Sequence, residues 1–134
     1  MAKNFITGIG GVFIKSKDPS SLYEWYKKSL GIPADAYGAI FEWRTKEEPQ
    51  EKGTTVWSLF KDKTQYFAPS EKEFMINFRV KDLDGLLEQL KKEGIEPLAP
   101  VEDSEYGRFA HIIDPEGTKL ELWEPKDDAM VNPS

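Results

Sequence analysis

The chain has 134 residues, 39% of them hydrophobic and 31% charged, with a formal net charge of −6 and no cysteine. That length lets one domain bury a core without staples, and the missing thiols exclude disulfides, zinc–thiolate centres and cysteine nucleophiles. The acidic balance lacks the basic patch that nucleic acid requires, no apolar run approaches the ~18 residues of a membrane span, and residues 1–15 carry no signal-peptide pattern, so a cytoplasmic protein with neither nucleic-acid nor membrane partner is expected.

Gly11–Lys15 alternates as a β-strand does. Asp18 then reads as a helix N-cap, with Pro19 at the first helical position where its missing N–H costs nothing. Leu22, Trp25, Tyr26 and Leu30 make the apolar stripe of this helix, and Gly31 and Pro33 end it. Strand-like segments follow at Ala39–Arg44 and Thr54–Phe60, separated by a polar loop. The bridge Lys61–Lys72 contains Tyr66-Phe67, too apolar for a free linker, so it should pack on the domain. Met75–Val80 opens a second series: Asp82 as N-cap, a stripe of Leu83, Leu86, Leu87 and Leu90, then Gly94 as the stop. A short piece near Val101–Asp103 precedes strands Arg108–Asp114 and Lys119–Glu124, joined by Pro115-Glu116-Gly117. The charged tail from Lys126 is expected to fray.

The second series repeats the first at a constant offset of 64 positions: Lys17/Lys81, Asp18/Asp82, Leu22/Leu86, Glu24/Glu88, Lys27/Lys91 and Lys28/Lys92 are identical across it. Gly53-Thr54 falls on Gly117-Thr118 at the same offset. Two copies are too few for a solenoid. They point to a duplicated βαβββ unit, with module one at about 8–60, the bridge at 61–72 and module two at about 74–125, all within one domain spanning 1–134.

A duplicated βαβββ unit ending in Asp114-Pro115-Glu116-Gly117-Thr118-Lys119-Leu120-Glu121-Leu122 resembles the vicinal oxygen chelate superfamily, which includes glyoxalase I, extradiol dioxygenases and bleomycin-binding proteins. The helix entry from Lys15 to Ile32 and the tandem repeat carry the same resemblance. It implies an α+β fold in which the modules form an open, cup-shaped mixed sheet with helices on the convex side. It also implies a ligand in the cup and a homodimer, sometimes with half-domains exchanged between chains.

The resemblance further implies a divalent ion held by residues of the first and last strands of each unit. Seven residues before each N-cap stand Gly11 and Met75; the late position is Glu121, which the offset carries back to Trp57, or to Ser58 with a slip of one. Glycine has no side chain, indole only donates, and a thioether is soft, so the usual ion is not expected and no cofactor is assigned. His111, the only histidine, should face Glu121 across the hairpin, and these two form the alternative metal pair.

Strand alternation adds the remaining candidates. Phe13, Trp57, Met75, Asn77, Arg79, Phe109, His111, Glu121 and Trp123 should line the cup, with Lys15, Thr55, Leu59, Ile113 and Lys119 on the same faces. The opposite faces are aliphatic and should pack under the helices. Aromatics mixed with a few polar groups suit a small-molecule pocket, although the same residues would also serve as a second core. Arg79 is the candidate anchor for a carboxylate or phosphate, and Tyr66, Phe67 and Tyr106 for the lip. The functional expectation is a metal-free small-molecule binder. The alternatives are a lyase- or isomerase-like enzyme using Glu121 and His111 as an acid–base pair, or a divergent metalloenzyme drawing on Glu42 or Glu105.

Overall fold

The computed structural model describes residues 4–126; all but Lys126 of the tail expected to fray lies outside them. The elements run β1 (Ile6–Ser16), α1 (Pro19–Leu30), β2 (Ala39–Arg44), β3 (Lys52–Lys61), β4 (Phe74–Val80), α2 (Leu83–Lys92), β5 (Glu102–Ser104), β6 (Gly107–Ile113) and β7 (Lys119–Pro125). They build one open mixed sheet of seven strands in the order β2-β3-β1-β4-β7-β6-β5. At its centre β1 and β4 run antiparallel, and each pairs in parallel with the closing strand of its own half, β1 with β3 and β4 with β7. After α1 the first half has two named strands and an isolated Asp35–Gly38 bridge, whereas the second half has three strands.

The helix signals act where the sequence puts them. The Asp18 carboxylate accepts from the Ser21 N–H at 3.3 Å, and Gly31 takes the left-handed conformation at φ 70° that stops α1. Asp82 caps α2 through the Gly85 N–H at 3.1 Å. A further carboxylate, Glu124 on β7, accepts from the Leu83 N–H at 2.8 Å, tying the start of α2 to the sheet. The β6–β7 turn is held by the Asp114 side chain, which accepts from the N–H groups of Glu116 and Thr118, both at 2.9 Å.

Both helices cover one face of the sheet. Val80, Leu83, Leu86, Ala110, Ile112 and Leu122 form the core under α2, with Phe78 and Leu120 packed against it. Tyr23, Ala39, Leu59, Ile14 and Trp57 form the smaller core under α1. The helix-free face carries a third cluster of Phe13, Phe67 and Met75, joined by Val56 and Phe60. Phe67 belongs to the bridge and is fully buried, so that segment does pack on the domain as its apolar pair demands.

Candidate functional site

A buried carboxylate organises the helix-free face. In the β6–β7 hairpin His111 stands opposite Glu121, and on the other side Asn77 of β4 pairs with the same residue. Period-two alternation puts all three side chains on one face. Asn77 Nδ2 donates to Glu121 Oε1 at 2.6 Å, and His111 Nε2 lies 2.8 Å from Oε2. The bridge supplies a third partner, because the Tyr66 hydroxyl donates to the same Oε2 and lies 3.3 Å from His111 Nε2. Lys119 secures that segment: its ammonium donates to the Tyr66 carbonyl oxygen at 2.6 Å and lies 5.1 Å from the Tyr66 ring centroid.

Glu121 is only 3% exposed. Burial alone would push its carboxyl pKa up, but bonds from His111, Tyr66 and Asn77 outweigh that and hold it below the usual carboxylate range. The Tyr66 hydroxyl is pushed far up, first by burial and then by the neighbouring Glu121 charge, so it is a permanent donor. Although Tyr66 as a residue is 40% exposed, its hydroxyl meets two buried groups, His111 and Glu121. Burial pushes the Lys119 ammonium down, opposed by Glu121 and Glu102.

Two residues along the same strands lies a second station. Arg79 pairs with Trp123 across β4–β7, and its guanidinium carbon is 4.9 Å from the Trp123 ring and 5.8 Å from the Trp43 ring. Arg79 Nη1 donates to Thr54 Oγ1 at 3.1 Å. Arg79 does not pair with Glu121, and burial pushes its pKa down. Phe109 stacks on Trp123 at 6.0 Å with planes 3° apart, and the Trp123 indole N–H donates to the Tyr106 carbonyl oxygen at 2.8 Å.

The structure thus brings together Asn77, Arg79, Phe109, His111, Glu121 and Trp123 from the sequence-derived set. Three others part from it. Trp57 lies on the other face, under α1, edge-on to Tyr23 and Tyr26 at 5.6 and 4.6 Å. Thr55 and Leu59 share its strand parity, and the face expected of them belongs instead to Thr54, Val56 and Phe60. The cause is a one-residue register difference: Phe13 pairs with Ser58, and Asn77 pairs with Glu121. Phe13 and Met75 do lie on the helix-free face, but packed into the Phe67 cluster, with Met75 fully buried. Sequence reasoning missed Trp43 and Thr54 altogether, and it placed Tyr66 at the lip rather than on the carboxylate. The signal for Trp43 is the glycines at 8 and 53, where a Cβ would come within 2.4 and 2.3 Å of its ring.

The positions that hold the superfamily's divalent ion do not fit one here. A side chain at Gly11 would meet the Phe13 ring at 2.6 Å, Met75 is sealed in apolar contacts, and Ser58 Oγ donates to the Tyr37 carbonyl oxygen at 2.8 Å. Both Glu121 oxygens already accept from protein donors. Among the described residues no three His, Asp or Glu side chains converge as metal ligands, and Glu42 and Glu105 are exposed on β2 and in the β5–β6 turn.

An open mixed sheet with helices on one face and a carboxylate on the last strand defines a vicinal-oxygen-chelate fold, as the DPEG turn implied. The chain belongs to the glyoxalase-like domain family, whose model matches residues 11–123. It is 26% identical over 109 residues to uncharacterized protein YraH of Bacillus subtilis (strain 168), covering 75% of this chain and 85% of that one. Methylmalonyl-CoA epimerase of Streptomyces coelicolor, solved with 2-nitronate-propionyl-CoA, superposes with a TM-score of 0.66 at 17% identity, over 91% of this chain and 96% of the other. A glyoxalase/bleomycin resistance protein/dioxygenase superfamily member from Vibrio splendidus 12B01 superposes with a TM-score of 0.55 at 10% identity, over 87% and 97%. No helix among the described residues is long and apolar enough to cross a membrane.

Proposed function

We propose that this chain is a small-molecule-binding protein that takes its ligand on the helix-free face without the superfamily's divalent ion. One observation carries the reading: the Phe13 ring fills the space at Gly11 while the Glu121 oxygens are held by Asn77 and Tyr66. With that carboxylate committed to its own neighbours, the half-exposed Tyr66, an arginine and aromatic rings remain to meet a ligand, the mixture expected of a binding cleft. Structural neighbours solved with 2-nitronate-propionyl-CoA and with methylmalonyl-CoA support the use of this fold for small-molecule capture. In this reading the protein is a cytoplasmic homodimer whose halves descend from one unit. The test is tryptophan-fluorescence titration against a compound library before and after dialysis with chelator, alongside light scattering for the dimer. Equal affinities in both preparations are expected. Binding that disappears on chelation, or a stoichiometric divalent ion on Glu121, overturns the proposal.

A second reading rests on the Tyr66–Glu121–His111 contact. An ionised carboxylate beside an imidazole and a phenol is an acid–base assembly of the kind a lyase or isomerase uses to move a proton. Here Glu121 accepts the proton and His111 returns it, while the Tyr66 hydroxyl stays protonated and orients the carboxylate. Undiminished turnover by Glu121→Gln and His111→Ala on any substrate found would remove it.

A further inference from the structure

We propose that Arg79, set against the Trp43 and Trp123 rings, anchors an anion subsite that takes the carboxylate of a flat aromatic monoanion. The assignment rests on the binding reading above and supplies its ligand class. It starts from an arginine with donors to spare. A guanidinium carries five N–H groups, and the contact made among the described residues is the one to Thr54 Oγ1, with no carboxylate in an ion pair. A half-buried cation with no carboxylate in direct contact, and only the Glu51 charge acting on it without an ion pair, carries a desolvation cost that an incoming anion offsets. The planar fork matches a carboxylate edge to edge.

The sheet beneath is cleared for this arrangement. Besides the approaches at Gly8 and Gly53, a Cβ at Gly10 would lie 3.0 Å from both Arg79 Cγ and Trp123 Cε3. Glycine inside a strand gives up conformational entropy and packing, which makes sense where side chains must lie flat on the backbone. Four strands outside β1 thereby focus on one spot: β2 through Trp43, β3 through Thr54, β4 through Arg79 and β7 through Trp123.

Charge and shape define the ligand. Arg79 is the cation of this station, and the Glu51 carboxylate that bears on it already offsets part of its charge, so the station suits one negative charge better than a phosphate dianion. Trp123, only 3% exposed, is stacked on Phe109 with the guanidinium over its ring, so the partly buried Phe109 and Trp43 rings supply the apolar surface beside it. Two residues of β strand, about 7 Å, separate this station from Glu121, so a molecule the size of a substituted benzene ring spans both.

Benzoate, benzamide and phenyl phosphate are titrated into the full chain, reading the indole N–H resonances of Trp43 and Trp123 and the ring protons of His111. Benzoate is expected to move both indole signals, and benzamide neither. Arg79→Met should weaken benzoate binding about tenfold or more, and Arg79→Lys should recover part of it, keeping the charge but not the fork. Benzoate that leaves the indoles unmoved, Arg79→Met that binds it like the parent, or phenyl phosphate binding more tightly overturns the assignment. If Arg79→Met does not fold, the benzoate–benzamide contrast in the parent decides. A library compound that shifts His111 while benzoate shifts neither indole removes this subsite but keeps the binding reading. Silence of all three reporters across the library removes both.

Discussion

The Tyr66 hydroxyl, carried on the bridge between β3 and β4, donates to the Glu121 carboxylate on β7. A segment outside the sheet thus reaches over its helix-free face and completes the shell of a buried charge. Lys119, whose ammonium holds the Tyr66 carbonyl oxygen, makes the contact reciprocal between bridge and strand.

Tyr66→Phe keeps the ring and removes the donor. A hydrogen bond to a charged acceptor is worth about 1.5–3 kcal/mol, and the exposed ring edge gives water access, so a loss of about 1 kcal/mol in urea unfolding is expected. The Glu121 carboxyl should move up towards its ordinary range, visible as a shift in the pH titration of the His111 ring protons that abut it.

Acid sensitivity follows from the same carboxylate. Its folded pKa lies below the unfolded value of 4.5, so its contribution to stability is fully present above pH 4.5 and is lost as pH falls through the lower folded value. Glu121→Gln should flatten the acid limb of the stability curve relative to the parent while leaving other carboxylates, such as Asp84 and Asp114, to titrate as before. Unfolding free energies measured from about pH 3 to 6 check this. An unchanged difference between the two proteins across that range refutes it.

Trp57 offers a test of strand register. Since it packs against Tyr23 and Tyr26 under α1, Trp57→Ala should cost about 3 kcal/mol, the lower end of the range for buried aromatics, because the ring is only partly covered. Affinity for any ligand of the helix-free face should stay within error of the parent. Calorimetry of the folded variant separates the two effects.

Gly10→Ala adds one methyl where Asn77 Oδ1 would lie 2.2 Å away. Asn77 is 2% exposed and its Nδ2 holds Glu121, so the clash propagates to the carboxylate. Overpacking of this kind costs about 1–3 kcal/mol, and Trp123 fluorescence should change with it. Gly94→Ala is no control for space, because its strain comes from a backbone φ of 82° rather than from a neighbour.

Much of the fold was legible because its signals are local: alternation for strands, Asp18 and Asp82 for helix starts, and the Asp114–Gly117 turn, which fixed His111 opposite Glu121. Trp57 was misplaced because the repeat is not uniform. Ser58 lies 40 residues beyond Asp18, whereas the equivalent Glu121 lies 39 beyond Asp82. A single extra residue ahead of β3 leaves the helix offset intact and inverts every face in that strand. The roles of Tyr66 and Trp43 were hidden for a different reason. A bridge has no periodicity to aim its side chains, and Trp43 owes its position to glycines on two other strands.

The two ends of the sheet are unequal. β5 closes one end with three residues, Glu102, Asp103 and Ser104, too short and too negatively charged to recruit another backbone. β2 closes the other with six, and Ile40 and Phe41 stand 48% and 45% open to solvent. Growth of the sheet by addition of a foreign strand, whether in orderly pairing or in aggregation under stress, therefore has one direction in which to begin.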